Sequence, residues 1–594
     1  MIENSKAEIE REGASLMTRY GSDLVVDLLR GFGIEYAALN PGATFRGLHD
    51  SLVNYGGNER PEIILCCHEE ISVAIAHGYA KAAGKPMAVG LHDLVGLQHA
   101  SMAIFNAWCD RVPVLLLGGA GPMAIEHRRP WIDWIHTGLV QGQLVRDYVK
   151  WDDQPSSIPS MTEALLRAHR IAVTEPQGPV YVALDAALQE GVVPADTPLP
   201  EIARYARPER LQGSPAALDA AAELLARAER PVVLAERLGR HAGAFDALRE
   251  LAELLAAPVV DLYSHGRPNL ANTHPLDLTA AKNDLLREAD VILSLDVIDL
   301  YGAFAETNPA TREPSMIVGA GARVIHITLD DLAARSWVAD YQRLVPVEIH
   351  IIADTALAVP ALVERLRSRA GSEGERTARF HRLKAAHEAS REEGWRQARS
   401  RWDDVPISPA RLAAEVWERI KTESWVLANG ALGGWPRRLW EWTRHDAYLG
   451  FSGGAGLGYG LGASIGAALA HRGSGRIVVD LQSDGDFLYT PSALWTAAHH
   501  HIPLLVVMCN NRSYGNDEVH QELVARARNR PVENKVVGIR LEKPPVDFAG
   551  LARSLGVHGE GPVDVPGEIG PALRRALRVI KDQGRPALVD VVMR

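Results

Sequence analysis

Cysteine is scarce in this chain, a surplus of basic residues is missing, and no apolar run is long. Four cysteines occur, Cys66, Cys67, Cys109 and Cys509, and none lies in a CxxC pair. That excludes a zinc knuckle, a thioredoxin-type motif and a disulfide scaffold. Cys66 and Cys67 follow the apolar run Ile63-Ile64-Leu65 and are expected to be small buried hydrophobes. Lys and Arg total 63 against 74 Asp and Glu, a formal charge of −11. The basic footprint that sequence-independent nucleic-acid binding needs is therefore absent. No apolar run approaches the roughly 20 residues that span a bilayer. Met1 to Gly13 is charged and has no apolar stretch of the secretory kind. A cytoplasmic protein without nucleic-acid or membrane partners is the expectation. Ordinary hydrophobic content, 47%, excludes global disorder.

What is present is a long alternation of strand-like and helical patterns. At roughly 150 residues per domain, 594 residues suggest three or four domains. Short apolar runs such as Tyr36–Leu39, Ile63–Cys67, Val180–Leu184, Pro231–Ala235, Val291–Leu295, Ile477–Leu481 and Leu504–Met508 are separated by helical stretches. This order predicts an α/β protein of doubly wound parallel sheets. A polar, proline-containing stretch near 193–208 reads as a linker. The charged stretch Arg376–Arg401 reads as a solvated connecting helix. Three units follow: 15–192, 205–370 and 405–594.

The strongest local constellation is Ser483-Asp484-Gly485-Asp486-Phe487, then a helix and a strand ending at Asn510-Asn511. Asp484 and Asn511 fall at the C-terminal ends of expected parallel strands, where α/β proteins place ligands. A carboxylate and an amide oxygen there suit a hard octahedral cation such as Mg²⁺. Gly485 would let backbone approach a ligand closely. Spacing alone leaves a second reading open, in which Asp-Gly and Asn-Asn simply form turns.

An Asp-Gly turn, a helix and a strand ending in Asn-Asn resemble the cofactor signature of thiamin diphosphate-dependent enzymes. Ser483 stands where that family usually has Gly. The resemblance extends along the chain. "DLLRGFGIEYAALNPGATFRGLHDSL" and "HEEISVAIAHGYAKAAGKP" resemble the pyrimidine-binding domain of acetolactate synthase and benzoylformate decarboxylase. "RPVVLAERLGR" resembles the central domain, and "SGGAGLGYGLGASIGAALA" the start of the diphosphate-binding domain. It implies Asp484, Asn511 and the backbone carbonyl of Ser513 as Mg²⁺ ligands. It implies Glu69, nine residues before Gly78, as the carboxyl that activates the cofactor, with Glu70 as its neighbour. Leu457, before Gly458, becomes the apolar wedge that bends the cofactor. Asn429, Gly430, Gly456, Gly485 and Asp486, with the Asn40-Pro41 turn, become cofactor contacts.

For the substrate, His92 aligns with a substrate-facing histidine of benzoylformate decarboxylase, and Asn106-Ala107-Trp108 matches that family's run. His99 and Gln98 are further pocket candidates, and Asp517 or Glu518 occupies the region of a substrate-facing acid. The resemblance implies a non-oxidative 2-oxo acid decarboxylase or carboligase, acetolactate synthase-like, that is at least a homodimer and commonly a homotetramer. Its active site would lie between the pyrimidine domain of one subunit and the diphosphate domain of another. Alternatives are a 2-hydroxyacyl-CoA lyase or an oxalyl-CoA decarboxylase-like enzyme acting on an acyl-CoA, and a catalytically silent cofactor-binding subunit. FAD or another nucleotide in the central domain stays open. A dinucleotide-binding dehydrogenase is weakly supported, because "GGAGLGYG" lacks a preceding strand and a following acid in the needed arrangement. The run His499-His500-His501 is expected to be partly exposed at a helix end.

Overall fold

Apolar runs without alternation bury both faces of a strand, as a parallel sheet between two helical layers requires. The computed structural model describes residues 18–594 except 131, 195–196, 264–265, 310, 334–338 and 370–371. Two of the expected domain limits, residues 15 and 370, lie outside the described residues. The first sheet joins Tyr36–Leu39 (β1), Glu62–Leu65 (β2), Met87–Leu91 (β3), Val114–Ala120 (β4), Asp152–Asp153 (β5) and Val180–Asp185 (β6) in the order β2-β1-β3-β4-β6-β5. All its pairings are parallel.

The central sheet uses Pro231–Ala235 (β7), Val259–Asp261 (β8), Val291–Leu295 (β9), Arg323–Thr328 (β12) and Ile349–Ile352 (β13), ordered β13-β12-β9-β7-β8. A separate antiparallel hairpin pairs Ala305–Thr307 (β10) with Pro314–Met316 (β11). The last sheet runs β14-β15-β16-β18-β17 from Trp425–Asn429 (β14), Ile477–Ser483 (β15), Leu505–Asn510 (β16), His558–Val563 (β17) and Ala587–Val592 (β18). Its pairings are also all parallel.

The first and last units share one apolar core. Val89 and Leu116 of the first sheet belong to the same cluster as Val478 and Val506 of the last. Two helices join them, Glu69–Ala83 and Tyr459–Ala470. Every residue from Tyr459 to Leu469 is buried, as expected of a helix that is small and apolar on all sides. Glycine is what permits the approach. A side chain on Gly78 would collide with the Ala463 carbonyl, and one on Gly466 with the Ile75 carbonyl. The central unit keeps a separate core, built on Leu248, Leu293 and Leu362.

The structure corrects several sequence expectations. The charged stretch forms a helix, Glu373–Arg399, but one face of it is docked rather than solvated, burying Leu383, His387 and Ala398. Arg376 donates to the Leu254 carbonyl at 2.9 Å and Arg379 to the Leu255 carbonyl at 2.6 Å. These guanidiniums sit on the last carbonyls of the helix Ala242–Leu255, where unsatisfied acceptors and the helix dipole favour cations. Of the adjacent cysteines only Cys66 is buried; Cys67 is exposed. The expected Asp-Gly turn is a single helical turn, Asp484–Phe487. Beyond Asn511 the sequence reading names no strand, whereas the structure adds β17 and β18. His499 and His501 are exposed as expected, but His500 accepts the Leu65 N–H at 2.8 Å and so ties the last unit to the first.

Candidate active site

Glu69 opens the helix Glu69–Ala83, and its N-cap is His68, whose Nδ1 accepts the Glu70 N–H at 3.2 Å. A helix N-terminus favours the two acids in its first turn. Glu69 is nevertheless nearly inaccessible, 4% exposed. Its Oε1 accepts the Asn40 amide at 3.2 Å, and its Oε2 faces His99 Nδ1 at 3.2 Å. Gly96 leaves the room, because a Cβ there would stand 3.1 Å from Glu69 Oε1. Pro41, beside Asn40, is exposed. One strand over, His92 caps the helix Asp93–Cys109. Its Nδ1 meets Thr44 Oγ1 at 3.1 Å and its Nε2 meets His136 Nδ1 at 3.2 Å.

The second half of the site lies at the C-terminal ends of β15 and β16. Asp484 is 1% exposed; its Oδ1 accepts the Gly485 N–H at 2.9 Å, while its buried Oδ2 has no hydrogen-bond partner. Burial pushes the Asp484 carboxyl above its ordinary range, and backbone N–H groups partly counter it. A buried carboxylate oxygen without a donor is costly unless a proton or cation meets it, so the donor set fits a hard cation. Asn511 Oδ1 accepts the Ser513 N–H at 3.1 Å, and Ser513 Oγ donates to Glu518 at 3.0 Å. Gly485 packs under Tyr514, whose ring would be 2.5 Å from a Cβ. Asn429 donates to Asp480 at 2.9 Å and keeps its own buried Oδ1 unbonded. Gly430 lies beneath the Tyr448 ring, 3.2 Å from its hydroxyl in the Cβ direction.

Between the halves runs the glycine loop before Tyr459, gripped from both sides. Asn106 of the first unit receives the Gly456 N–H at 3.2 Å and donates to the Gly456 carbonyl at 3.3 Å. Asp486 of the last unit accepts from Gly458 N at 2.7 Å, Gly460 N at 3.2 Å and Gln482 Nε2 at 2.6 Å. Both Asp486 oxygens therefore hold the N-terminus of the Tyr459–Ala470 helix. Gly458 has φ +91°, which glycine adopts freely, and a Cβ there would meet Glu70 Oε1 at 2.5 Å. Burial first, and the Asp486 charge second, raise the Glu70 carboxyl to about 7. Leu457 stands half-buried in this loop. Within this chain the first and last units adjoin at this loop through Asn106 and Glu70.

Asp517 is exposed at the first turn of the helix Gly515–Ala527, and Glu518 beside it turns inward to Ser513, with Arg540 at 3.2 Å. In the central unit, Glu236 and Arg237 are buried at the tip of β7, and Arg237 donates to the Cys109 carbonyl. The cavity left beside them, among Lys81, Arg210 and Arg240, measures about 270 Å³.

Sequence reasoning missed Thr44, His136, Asp480 and Asp590. Asp480 left a signal, an acid inside the apolar run Ile477–Leu481, and burial raises its carboxyl to about 7. Asp590, raised to about 6 by burial, accepts the Asn510 amide at 2.9 Å. His136 lies in an irregular segment without periodicity and left none.

Known proteins share this organisation. Residues 19–147 match the description "Thiamine pyrophosphate enzyme, N-terminal TPP binding domain", residues 218–362 the central domain and residues 428–591 the C-terminal TPP binding domain. A benzoylformate decarboxylase of Pseudomonas aeruginosa is 27% identical over 565 residues, covering 92% of this chain and 96% of the relative. An acetolactate synthase of Bacillus subtilis is 25% identical over 584 residues, covering 94% of each. Among solved structures, a thiamine diphosphate-dependent 4-hydroxybenzoylformate decarboxylase of Rhodococcus jostii superposes with a TM-score of 0.72 at 22% identity, covering 97% of this chain and 99% of that one. The last likeness is one of fold.

Proposed function

This chain belongs to the thiamine pyrophosphate enzymes, and from that premise we propose that it is a Mg²⁺-assisted, non-oxidative 2-oxo acid decarboxylase or carboligase. The observation that carries the reading is the pairing of a buried, hydrogen-bonded Glu69 with the donor-free Asp484 oxygen across one glycine loop. Asp484, Asn511 and the Ser513 carbonyl would hold the metal. Asn429, Gly430 and the Gly456 backbone would hold the cofactor's two ends, with Leu457 as the wedge between them. When bound, thiamin diphosphate supplies a carbanion that attacks a carbonyl and a cationic ring that takes up electrons from C–C cleavage.

The remaining work falls to side chains of this protein. Glu69 would hydrogen-bond the aminopyrimidine end and exchange a proton with it. His92, fixed by Thr44 and His136 on its two nitrogens, is placed to orient a substrate carboxylate or move a proton to the product. A 2-oxo acid is the substrate class, since a benzoylformate decarboxylase and an acetolactate synthase are among the relatives. A cytoplasmic homodimer or homotetramer is the assembly proposed.

Two measurements test this reading. Calorimetric titration of thiamin diphosphate with and without Mg²⁺ should show binding that depends on the metal. A panel of 2-oxo acids and acyl-CoA thioesters, read by CO₂ release and product mass, should then show CO₂ from the former. Turnover of thioesters alone, or no cofactor binding, refutes the proposal.

A further inference from the structure

Glu69 has to give up and regain a proton, yet its side chain is only 5% exposed. Among the described residues, two polar side chains are bonded to its carboxyl, Asn40 and His99. An amide donates without ever carrying a proton away, so Asn40 can hold the carboxyl but not exchange with it. His99 is different. Its side chain is 57% exposed to solvent at one end and lies 3.2 Å from Glu69 Oε2 at the other. Imidazole has two nitrogens and an ordinary pKa near neutrality, which suits it to pass a proton between a buried group and water.

Resting on the reading of Glu69 above, we propose that His99 is the proton outlet of Glu69, a positioning and relay residue that never touches substrate. In the outward step the Glu69 O–H bond breaks and a His99 Nδ1–H bond forms. The imidazolium then releases its Nε2 proton to water. The inward step is the reverse, and no electron moves. His68 completes the arrangement. Its ring stacks on His99 with centroids 4.9 Å apart, and its Nδ1 is fixed by the Glu70 N–H, so it steers the outlet ring toward Glu69. Burial holds the His68 ring below its ordinary pKa, in part with help from His99 itself. Among the described residues, Glu69 and His68 are the titratable groups in contact with His99.

The first test uses the full chain without cofactor. Histidine-labelled protein is titrated by NMR, with His99 assigned by the signal lost in His99→Asn. Glu69→Gln should move the His99 ring signals; signals that superimpose on those of the wild type overturn the coupling. The second test follows deuterium exchange at the reactive carbon of bound thiamin diphosphate by rapid quench and NMR. His99→Ala should slow exchange by about 100-fold and make it depend on buffer, with added imidazole restoring it. Because His99 is exposed, the variant should keep its Tm, and His99→Asn repeats the test with a side chain of similar shape. Exchange at the wild-type rate in both variants refutes the outlet, as does slowed exchange that imidazole fails to restore. Loss of exchange in Glu69→Gln separates the two readings. If Glu69→Gln exchanges normally, the assignment of Glu69 fails; if it alone abolishes exchange, only the outlet fails.

Discussion

Asp484→Asn should make the empty protein more stable and the loaded protein less so. Asp484 is 1% exposed and its Oδ2 has no donor, while burial raises its carboxyl. Leaving a buried polar group unsatisfied costs about 1–3 kcal/mol, and the neutral amide removes the charge from that cost. At about 2–4 °C per kcal/mol for a domain of this size, the cofactor-free variant should melt several degrees above wild type. With metal the sign reverses. A ligand at 100 times its Kd stabilises by about 2.7 kcal/mol, and losing one carboxylate of the coordination set should remove most of that. The assay is calorimetric melting of both proteins at neutral pH, with and without Mg²⁺ and thiamin diphosphate. A variant that melts below wild type without ligand, or that keeps the full Mg²⁺-dependent rise, refutes the reasoning.

Gly78→Val should cost about 1–3 kcal/mol and weaken the seam between the first and last units, because any side chain there strikes the Ala463 carbonyl; urea unfolding reads it. Glu70 is held near 7 when folded against an ordinary 4.5, so the folded state binds the extra proton and loses stability as pH rises from about 4.5 to 7. Urea midpoints at pH 5 and pH 8 should therefore converge in Glu70→Gln relative to wild type, with Asp480 and Asp590 leaving a residual slope. His92→Ala should reduce kcat by about 10²–10⁴-fold while leaving calorimetric cofactor affinity unchanged; equal losses in both would assign His92 to the cofactor instead.

The fold was largely legible because its signals are local. Val291–Leu295 and Pro231–Ala235 are read with their observed bounds, since a strand buried on both faces is a short unbroken apolar run. β17 escaped for the converse reason: His558–Val563 contains Gly559, Gly561 and Pro562, and its pairing with β18 is irregular between Glu560 and Val563. Glu373–Arg399 was legible as a helix but not as a docked one. Its arginines bind backbone carbonyls, and nothing in a sequence marks a carbonyl as unsatisfied. Asp484 and Asn511 stood out by spacing. Asp480 and Asp590, which bond Asn429 and Asn510, were missed, because a single acid in an apolar run does not say what faces it.

Four carboxylates, Asp480, Asp484, Asp486 and Asp590, crowd the C-terminal end of the last sheet, and all are buried. Such a cluster repels the diphosphate it is expected to receive, so each acid needs its own means of neutrality. Asp486 has three donors, two of them at a helix N-terminus. Asp480 and Asp590 take up protons near neutral pH and are held by Asn429 and Asn510. Asp484 keeps a buried oxygen without a hydrogen-bond partner, as Asp480 and Asp590 also do, but it stands just past the end of β15. The net charge of −11 is therefore no obstacle to an anionic cofactor. Under the proposed function, Asp484 is the acid that would take a cation, and that cation would offset the charge of the diphosphate.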